Sequence, residues 1–279
     1  MSPLSRDELR VVLSTDQLQL VRLWSRLTFK GWQYQVLDKK LVPFEGGGKS
    51  SWESALAKLE SVLSRTEIKP ERASVVLGNH FVRYAIVEVD KSLQKEEEQI
   101  AFVRHRFGQL YGADTDGWDF RFDQEHPGAP YLVSAVDAQL VMRLRELFAM
   151  EEIKLQSIQP GLMRAYNQCR RSLAGKSAWF VILEQGCLCL IWLNNGYPAR
   201  VRTVRAEEDW LELLPDIIER ESYLSEFDIS SKEVLLWSFD QRETDVPRDG
   251  LLQITAVRPA VPAGLAGQYD EQYTLAMGG

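Results

Sequence analysis

Residues 178–204 read AWFVILEQGCLCLIWLNNGYPARVRTV, and this stretch decides how the chain folds. It contains three β-rich runs, which lie at 178–183, 188–193 and 199–204. The dipeptide Asn195-Gly196 separates the second run from the third, and it favours the tight hairpin turns that need positive φ. The stretch therefore predicts a meander of three antiparallel strands.

The same order of elements occurs near the start of the chain. Its three β-rich runs lie at 10–15, 17–24 and 32–37. In each copy a helical pattern and then a further apolar strand follow the meander, at 51–64 and 73–77 first and at 207–224 and 233–237 later. One unit thus occurs twice, at residues 10–77 and 178–237, and this predicts a duplicated α/β fold with mixed sheets flanked by helices.

Residues between and after the two copies predict further elements. Strands are expected at 81–89, 118–123, 131–136 and 154–158. Helices are expected at 94–111, after an N-terminal cap by Asp137, and at 161–173. Residues after Gly250 are rich in proline and glycine, so they predict an irregular tail that packs near its end, around 273–277.

Composition excludes several classes of protein. The 279 residues carry 33 Lys and Arg against 40 Asp and Glu, a net charge of −7, which argues against a nucleic-acid partner. Three cysteines make no disulfide framework, and no run approaches the ~20 apolar residues that cross a bilayer. Cys187 and Cys189 share one face of a strand without a cluster of further ligands, so they predict buried thiols and no metal site. We expect a soluble, cytoplasmic protein.

Four segments resemble the PilM-like proteins of type IV pilus assembly and the cytoplasmic domain of the type II secretion protein GspL. They are VVLSTDQLQLVRL (11–23), SVVLGNHFVRYAIVEV (74–89), residues 131–160, and residues 180–204 with the Asn195-Gly196 turn. The resemblance implies the duplicated ribonuclease-H-like fold of actin-like ATPases. It implies a first subdomain of residues 1–70 with part of 160–177, an inserted α/β subdomain at 71–159, and a second ribonuclease-H-like subdomain with the tail at 178–279.

In actin-like ATPases an Asp-x-Gly hairpin opens each half, with hard oxygen ligands for Mg²⁺ and glycine for close approach to phosphate. The first hairpin of this chain has Ser14 and Asp16 but no glycine, and Gln19 stands where a lysine is often found. The second has Glu184 and Gly186 in a shifted register. The late strand runs into Trp237-Ser238 where glycines would contact adenosine. The resemblance therefore implies no bound cofactor and no catalysis. At most it implies a vestigial ATP site, formed by Ser14, Asp16, Glu184 and Gly186.

The resemblance also implies a partner. In PilM-like proteins a short N-terminal cytoplasmic peptide of an inner-membrane assembly protein lies in a groove of the fold. We expect such a peptide here near Asn79, Phe81 and Arg83 and the neighbouring helix with Phe102 and Arg106. A secretion or pilus ATPase is a further partner that the resemblance implies. The protein would then be a scaffold at the cytoplasmic face of the inner membrane, touching the membrane only indirectly.

Two other functions stay open at this point. The first is an active ATPase of the same fold, with Asp16 and Glu184 holding Mg²⁺ from shifted registers. The second is an unrelated small-molecule kinase that uses Lys49-Ser50 after Gly46-Gly47-Gly48. A P-loop would need its first glycine at position 43, where Pro43 removes a backbone donor, so a flexible loop is the favoured interpretation.

Overall fold

The computed structural model describes residues 5–29, 31–45, 52–88, 93, 95–112, 115–123, 130–206, 209–224, 231–238, 251–259, 263–268, 270 and 273–278. The chain forms two compact units. The first unit contains Met1–Val82, Val136–Gln168 and Pro259–Gly279, and the second contains Arg83–Ala135 and Cys169–Arg258.

The described part of the chain forms strands and helices in alternating groups. The strands are β1 (Ser5–Leu13), β2 (Gln17–Thr28), β3 (Gly31–Pro43), β4 (Arg72–Leu77), β5 (Val82–Val87), β6 (Trp118–Asp123), β7 (Tyr131–Asp137), β8 (Lys154–Pro160), β9 (Trp179–Glu184), β10 (Cys187–Asn194), β11 (Tyr197–Arg205), β12 (Glu233–Ser238) and β13 (Gln253–Ala256). The helices are α1 (Trp52–Ser64), α2 (Glu96–Tyr111), α3 (Ala138–Met150), α4 (Gly161–Leu173), α5 (Trp210–Tyr223) and α6 (Thr274–Met277). None of these described helices is long and apolar enough to span a bilayer.

The first unit is built on a five-stranded mixed sheet with the order β3-β2-β1-β4-β8. Its meander β1-β2-β3 is antiparallel, and β1 pairs in parallel with β4, which pairs in parallel with β8. Asn79-His80-Phe81 form a short 3-10 helix after β4. The predicted helix cap is confirmed, because Asp137 accepts a hydrogen bond from the backbone N–H of Gln139 at 2.8 Å.

The second unit contains a sheet of the same design, with the order β11-β10-β9-β12-β13. The meander β9-β10-β11 is antiparallel, and β9 pairs in parallel with β12, which pairs in parallel with β13. The β10–β11 turn has the predicted form, with φ of 53° at Asn195 and 85° at Gly196. Matching strand order and matching directions confirm the predicted duplication.

A smaller sheet with the order β5-β7-β6 completes the second unit. Helix α2 packs on it through Val103 and Phe107, which are fully buried. The Phe107 ring meets Phe120 of β6 edge to face, with 5.2 Å between ring centroids. This cluster is a hydrophobic core formed by residues 85–135 within the second unit.

Two features differ from the sequence-based expectations. Strands β4 and β8, within the predicted inserted subdomain, belong to the first sheet because each pairs in parallel with a neighbour there. The tail contains strand β13, and its residues from Pro259 belong to the first unit. The tetrapeptide of β13, QITA, alternates polar and apolar residues, but it is only four residues long and lies in a segment rich in proline and glycine, so the sequence did not single it out as a strand. As expected, the tail is buried near its end, at residues 273–277.

Two arginines of the first unit hold this tail. Arg10 Nη1 donates to the carbonyl oxygens of Ala276 and Gly278 at 3.0 and 3.1 Å. Arg164 Nη2 donates to the same Gly278 carbonyl, and Gln168 Nε2 donates to that of Leu275 at 3.3 Å. Burial, and then the neighbouring Arg10, lower the pKa of Arg164 to about 10, so that Arg164 stays charged at neutral pH.

Candidate functional site

The first hairpin turn, between β1 and β2, is closed by backbone hydrogen bonds. The Ser14 N–H donates to the Gln17 carbonyl at 3.1 Å, and the Asp16 carbonyl accepts from the Phe44 N–H at 2.8 Å. Ser14 is buried and Asp16 half-buried. Gln19 is buried too, and no hydrogen-bond partner for its Oε1 lies within the described residues. An amide at this position lacks the charge with which a lysine would approach phosphate.

The second hairpin turn has one backbone position of the kind that phosphate turns use. Gly186 has φ of 75°, and its carbonyl accepts from the Ala206 N–H at 3.2 Å. Glu184, at the end of β9, is only 3% exposed. Mg²⁺ usually keeps several waters when it binds one or two carboxylates, and burial leaves little room for them at Glu184. Ser14 and Asp16 belong to the first unit, whereas Glu184 and Gly186 belong to the second.

Two of the five residues predicted to bind a partner lie inside the first unit. Asn79 is fully buried, and its Oδ1 accepts from the N–H of Leu162 in the first turn of α4 at 2.9 Å. The side chain thus satisfies a helix N-terminus that would otherwise have an open donor. Phe81 is also buried. Neither residue can contact a partner in this structure, because the fold uses both side chains internally.

The other three predicted partner residues lie in the second unit, on and beside a groove of about 650 Å³. Arg83 of β5 and Arg106 of α2 are exposed and line the groove. Phe102 is half-buried and packs against the core between α2 and the small sheet. The structure therefore places Arg83 and Arg106 in one groove, whereas Phe102 packs against the neighbouring core.

The opposite wall of this groove was not predicted. It is formed by residues 199–203 of β11 and by Glu221 and Leu224 at the end of α5. The sequence holds one signal for it, since Arg200 and Arg202 alternate along a strand in an otherwise apolar region. That signal does not say which wall stands opposite, because β5 and β11 are more than 100 residues apart in the chain.

Ion pairs organise this second wall. Arg200 donates from Nε and Nη2 to Oε2 of Glu221, at 3.1 and 2.9 Å. Arg202 Nε lies 3.6 Å from the other carboxylate oxygen of Glu221, and 55% of the Arg202 side chain is exposed. Glu221 itself is 4% exposed, so its charge is compensated inside the unit. The pairing fixes the directions of both arginines at the groove.

Tyr111, at the end of α2, fixes the first wall. Its hydroxyl donates to the backbone carbonyl oxygen of Tyr84 in β5 at 2.7 Å. Burial raises the pKa of the Tyr111 phenol, which keeps the donor protonated at physiological pH. One acceptor of strand β5 is thus already occupied by a side chain.

Among the described residues, no group of three or more candidate metal ligands occurs. All three thiols are buried and free, as predicted for Cys187 and Cys189. A hydrogen bond with Cys189, and then burial, raise the pKa of Cys187. Burial raises the pKa of Cys169 to about 12. Residues 46–51, which include the predicted Lys49-Ser50 motif, lie outside the described residues.

Solved structures with the same fold include proteins of two assembly systems and one protein of unknown function. A chain of the PilM–PilN type IV pilus biogenesis complex matches with a TM-score of 0.65 and 14% identity, over 96% of both chains. A Bacteroides thetaiotaomicron protein with an actin-like ATPase fold and unknown function matches with a TM-score of 0.57 and 12% identity, over 90% of both chains. The cytoplasmic domain of EpsL, an inner-membrane component of the Vibrio cholerae type II secretion system, matches with a TM-score of 0.52 and 11% identity, over 90% of this chain and 89% of that one.

These likenesses show that the chain has the actin-like fold that the sequence resemblance implied. The matching structures include proteins of type IV pilus biogenesis and of type II secretion, the two systems to which the resembled proteins belong. No protein-family model matches the chain, and no curated protein matches its sequence.

Proposed function

We propose that this protein is a non-catalytic, actin-like scaffold of a type IV pilus or type II secretion-like assembly platform. It lies at the cytoplasmic face of the inner membrane and binds a cytoplasmic peptide of an inner-membrane assembly protein. The fold shared with the PilM–PilN complex and with the EpsL cytoplasmic domain supports this proposal. A secretion or pilus ATPase is the second partner expected in such a platform.

The observation that carries the non-catalytic part is the state of the two hairpin turns. The first lacks glycine and its Ser14 N–H already donates to the Gln17 carbonyl, and the second presents a buried carboxylate, Glu184. A site that binds Mg-ATP needs accessible oxygen ligands together with several free backbone donors. The first turn has a half-buried Asp16 but no glycine, and the second has a glycine but a buried Glu184, so we interpret both turns as vestiges of a phosphate site.

The peptide partner is tested by isothermal titration calorimetry. The titrant is a synthetic peptide of the cytoplasmic N-terminal residues of the membrane protein encoded beside this chain, with a scrambled peptide as control. We expect a dissociation constant of about 1 µM, or about −8 kcal/mol. Absence of heat with this peptide, at protein concentrations that would reveal binding of about 100 µM, contradicts the proposal.

A second titration tests the catalytic status. Mg-ATP is titrated into the same preparation, and we expect an affinity weaker than about 100 µM, or about −5.5 kcal/mol. Phosphate release is measured in parallel. Tighter binding accompanied by turnover would favour an active ATPase of this fold, with Asp16 and Glu184 as the first residues to substitute.

A further inference from the structure

The edge strands β3 and β11 of the two five-stranded sheets differ in whether a side chain bonds to their outer backbone groups. At the edge of the first sheet, the Gln268 side chain accepts from the Val36 N–H at 2.7 Å and donates to the Tyr34 carbonyl at 3.4 Å. At the edge of the second sheet, β11 pairs only with β10 among the described strands. Within the described part of the chain, no side chain or strand bonds to the outer edge of 199–203. Exposed edges of this kind are templates for a further strand.

The groove lies along this open edge and is shaped for an extended chain. Five consecutive residues of β11, 199–203, line it, which corresponds to a length of ~17 Å at the usual rise of a strand. Strand β5, on the other wall, is an edge strand of the small sheet, but the Tyr111 hydroxyl already occupies its Tyr84 carbonyl. A strand entering the groove therefore pairs with β11 and lays one face of its side chains on the β5–α2 wall.

The charge of the groove specifies the occupant. Four arginines line it, at 83, 106, 200 and 202, against two glutamates, Glu88 and Glu221. The groove is thus locally positive by two charges in a chain whose net charge is −7. Large apolar side chains stand at its margins, with Leu110 62% and Leu224 59% exposed. This combination fits carboxylates interspersed with apolar residues.

We infer that the groove of the second unit binds an acidic, partly apolar segment of a partner protein, which adds as an extra strand to the edge of β11. The inference rests on the proposed scaffold function and names the site and the chemistry of the bound segment. Backbone hydrogen bonds to β11 supply the alignment, as in other cases of strand addition. Carboxylates of the segment meet Arg83 and Arg106 on one wall and Arg202 on the other.

The first test needs no knowledge of the partner. A random dodecapeptide library displayed on phage is selected against the full chain, and selected peptides are synthesised and titrated. We expect enrichment of Asp and Glu, and at least about tenfold weaker binding to the double variant Arg106→Glu, Arg202→Glu. The matched control is Arg121→Glu, an exposed arginine of β6 outside the groove, which should leave affinity unchanged. Selection of basic or charge-neutral peptides would overturn the inference. Equal affinity of the selected peptides for the wild type and the double variant would overturn it as well.

The second test asks whether the bound segment is a strand. Two versions of the best acidic peptide carry N-methyl groups on alternate residues, in opposite phases, because an added strand points only every second N–H at its neighbour. One phase should bind about tenfold more weakly and the other should bind like the parent, with slower amide exchange at 199–203. Equal behaviour of both phases, or unchanged exchange at these amides, overturns strand addition.

The results separate this inference from the proposed function. If the membrane protein's peptide binds the wild type and the groove variants equally well, the scaffold function is supported and the groove is excluded as a binding site for acidic segments. If acidic peptides bind at β11 and the membrane protein's peptide does not bind at all, the groove is supported as a binding site and the proposed partner is rejected.

Discussion

The first and second five-stranded sheets have the same strand order but different outer edges. Strand β3 is covered by the C-terminal tail, whose short 3-10 helix at 263–268 brings Gln268 against the strand. Strand β11 has no such cover among the described residues and borders a positively charged groove. Since both edges come from the same repeated design, the fold does not require either to stay open. The open edge of the second sheet is the one to which we propose that a partner strand adds.

The largest effect is expected from uncovering the first edge. A chain that ends at residue 262 lacks Leu265, Leu275 and Met277, which are at most 1% exposed. Burial of such side chains contributes about 1.5–3 kcal/mol each, so the free energy of unfolding should fall by about 5 kcal/mol or more. Urea unfolding followed by tryptophan fluorescence measures the change. Leu251→Ala, at a side chain 72% exposed, is the control, and an unchanged midpoint of the truncated chain would contradict this account of the tail.

The corresponding hairpin turns of the two copies offer a matched pair of substitutions. Gly31 and Gly196 both have positive φ, at 95° and 85°. A Cβ at Gly31 meets no atom within 4 Å among the described residues beyond its chain neighbours, whereas one at Gly196 would lie 2.8 Å from the Gly175 N and 2.9 Å from the Leu173 carbonyl oxygen. We expect Gly31→Ala to cost about 1–2 kcal/mol from backbone strain alone, and Gly196→Ala about 3 kcal/mol.

Thermal and urea unfolding of the two alanine variants measure this difference. Backbone atoms surround Gly196, so the clash cannot be relieved by a side-chain rotation. Equal losses of stability in the two variants would mean that the second turn relaxes as freely as the first.

Alkaline pH should act on the second unit through its buried thiols Cys169 and Cys187. Burial raises the pKa of Cys169 from 9.0 to about 12, so above pH 9 the unfolded state binds fewer protons than the native state. The free energy of unfolding is unaffected below pH 9 and falls between pH 9 and 12, by about 1.4 kcal/mol per pH unit for such a thiol. Urea unfolding of wild type and Cys169→Ala at pH 8 and 10 should show a smaller loss in the variant. Parallel losses would exclude this thiol as a cause.

The smallest effect is expected at the cover of β3. Gln268→Ala removes two hydrogen bonds at an exposed position, which should cost about 1 kcal/mol in urea unfolding. It also leaves the β3 edge without its polar cover, so the variant should self-associate more than the wild type in sedimentation velocity. A variant that stays monomeric at the concentrations where the wild type does would show that the rest of the tail protects the edge.

The fold could be predicted because its signals are local. Alternating apolar runs, the Asn195-Gly196 turn and the Asp137 cap each depend on neighbours in sequence, and each is found as expected. The repeat of the unit then allowed the topology to be predicted, because two copies of one pattern are compatible with few arrangements of the strands. The course of the tail could not be predicted in the same way. Its anchors, Arg10 and Arg164, hold backbone carbonyls, which have no sequence signature.

The candidate site was predicted only in part for a similar reason. Arg83 and Arg106 were expected from the neighbouring segments and lie in the groove. Asn79 and Phe81 were expected beside them and are buried, because a polar residue after a strand looks the same whether it meets a partner or caps a distant helix. The β11 wall depends on a long-range approach of two strands, and pattern alone does not reveal such an approach.

The docking of Gly278 against Arg10 also has a consequence for biosynthesis. The two residues are separated by 268 positions, so strand β1 leaves the ribosome long before the tail that binds it has been synthesised. At typical rates of translation this interval is on the order of tens of seconds. During that time the residues of the first sheet that the tail later covers, including the edge strand β3, are exposed to solvent. The nascent protein is therefore a candidate client for ribosome-associated chaperones.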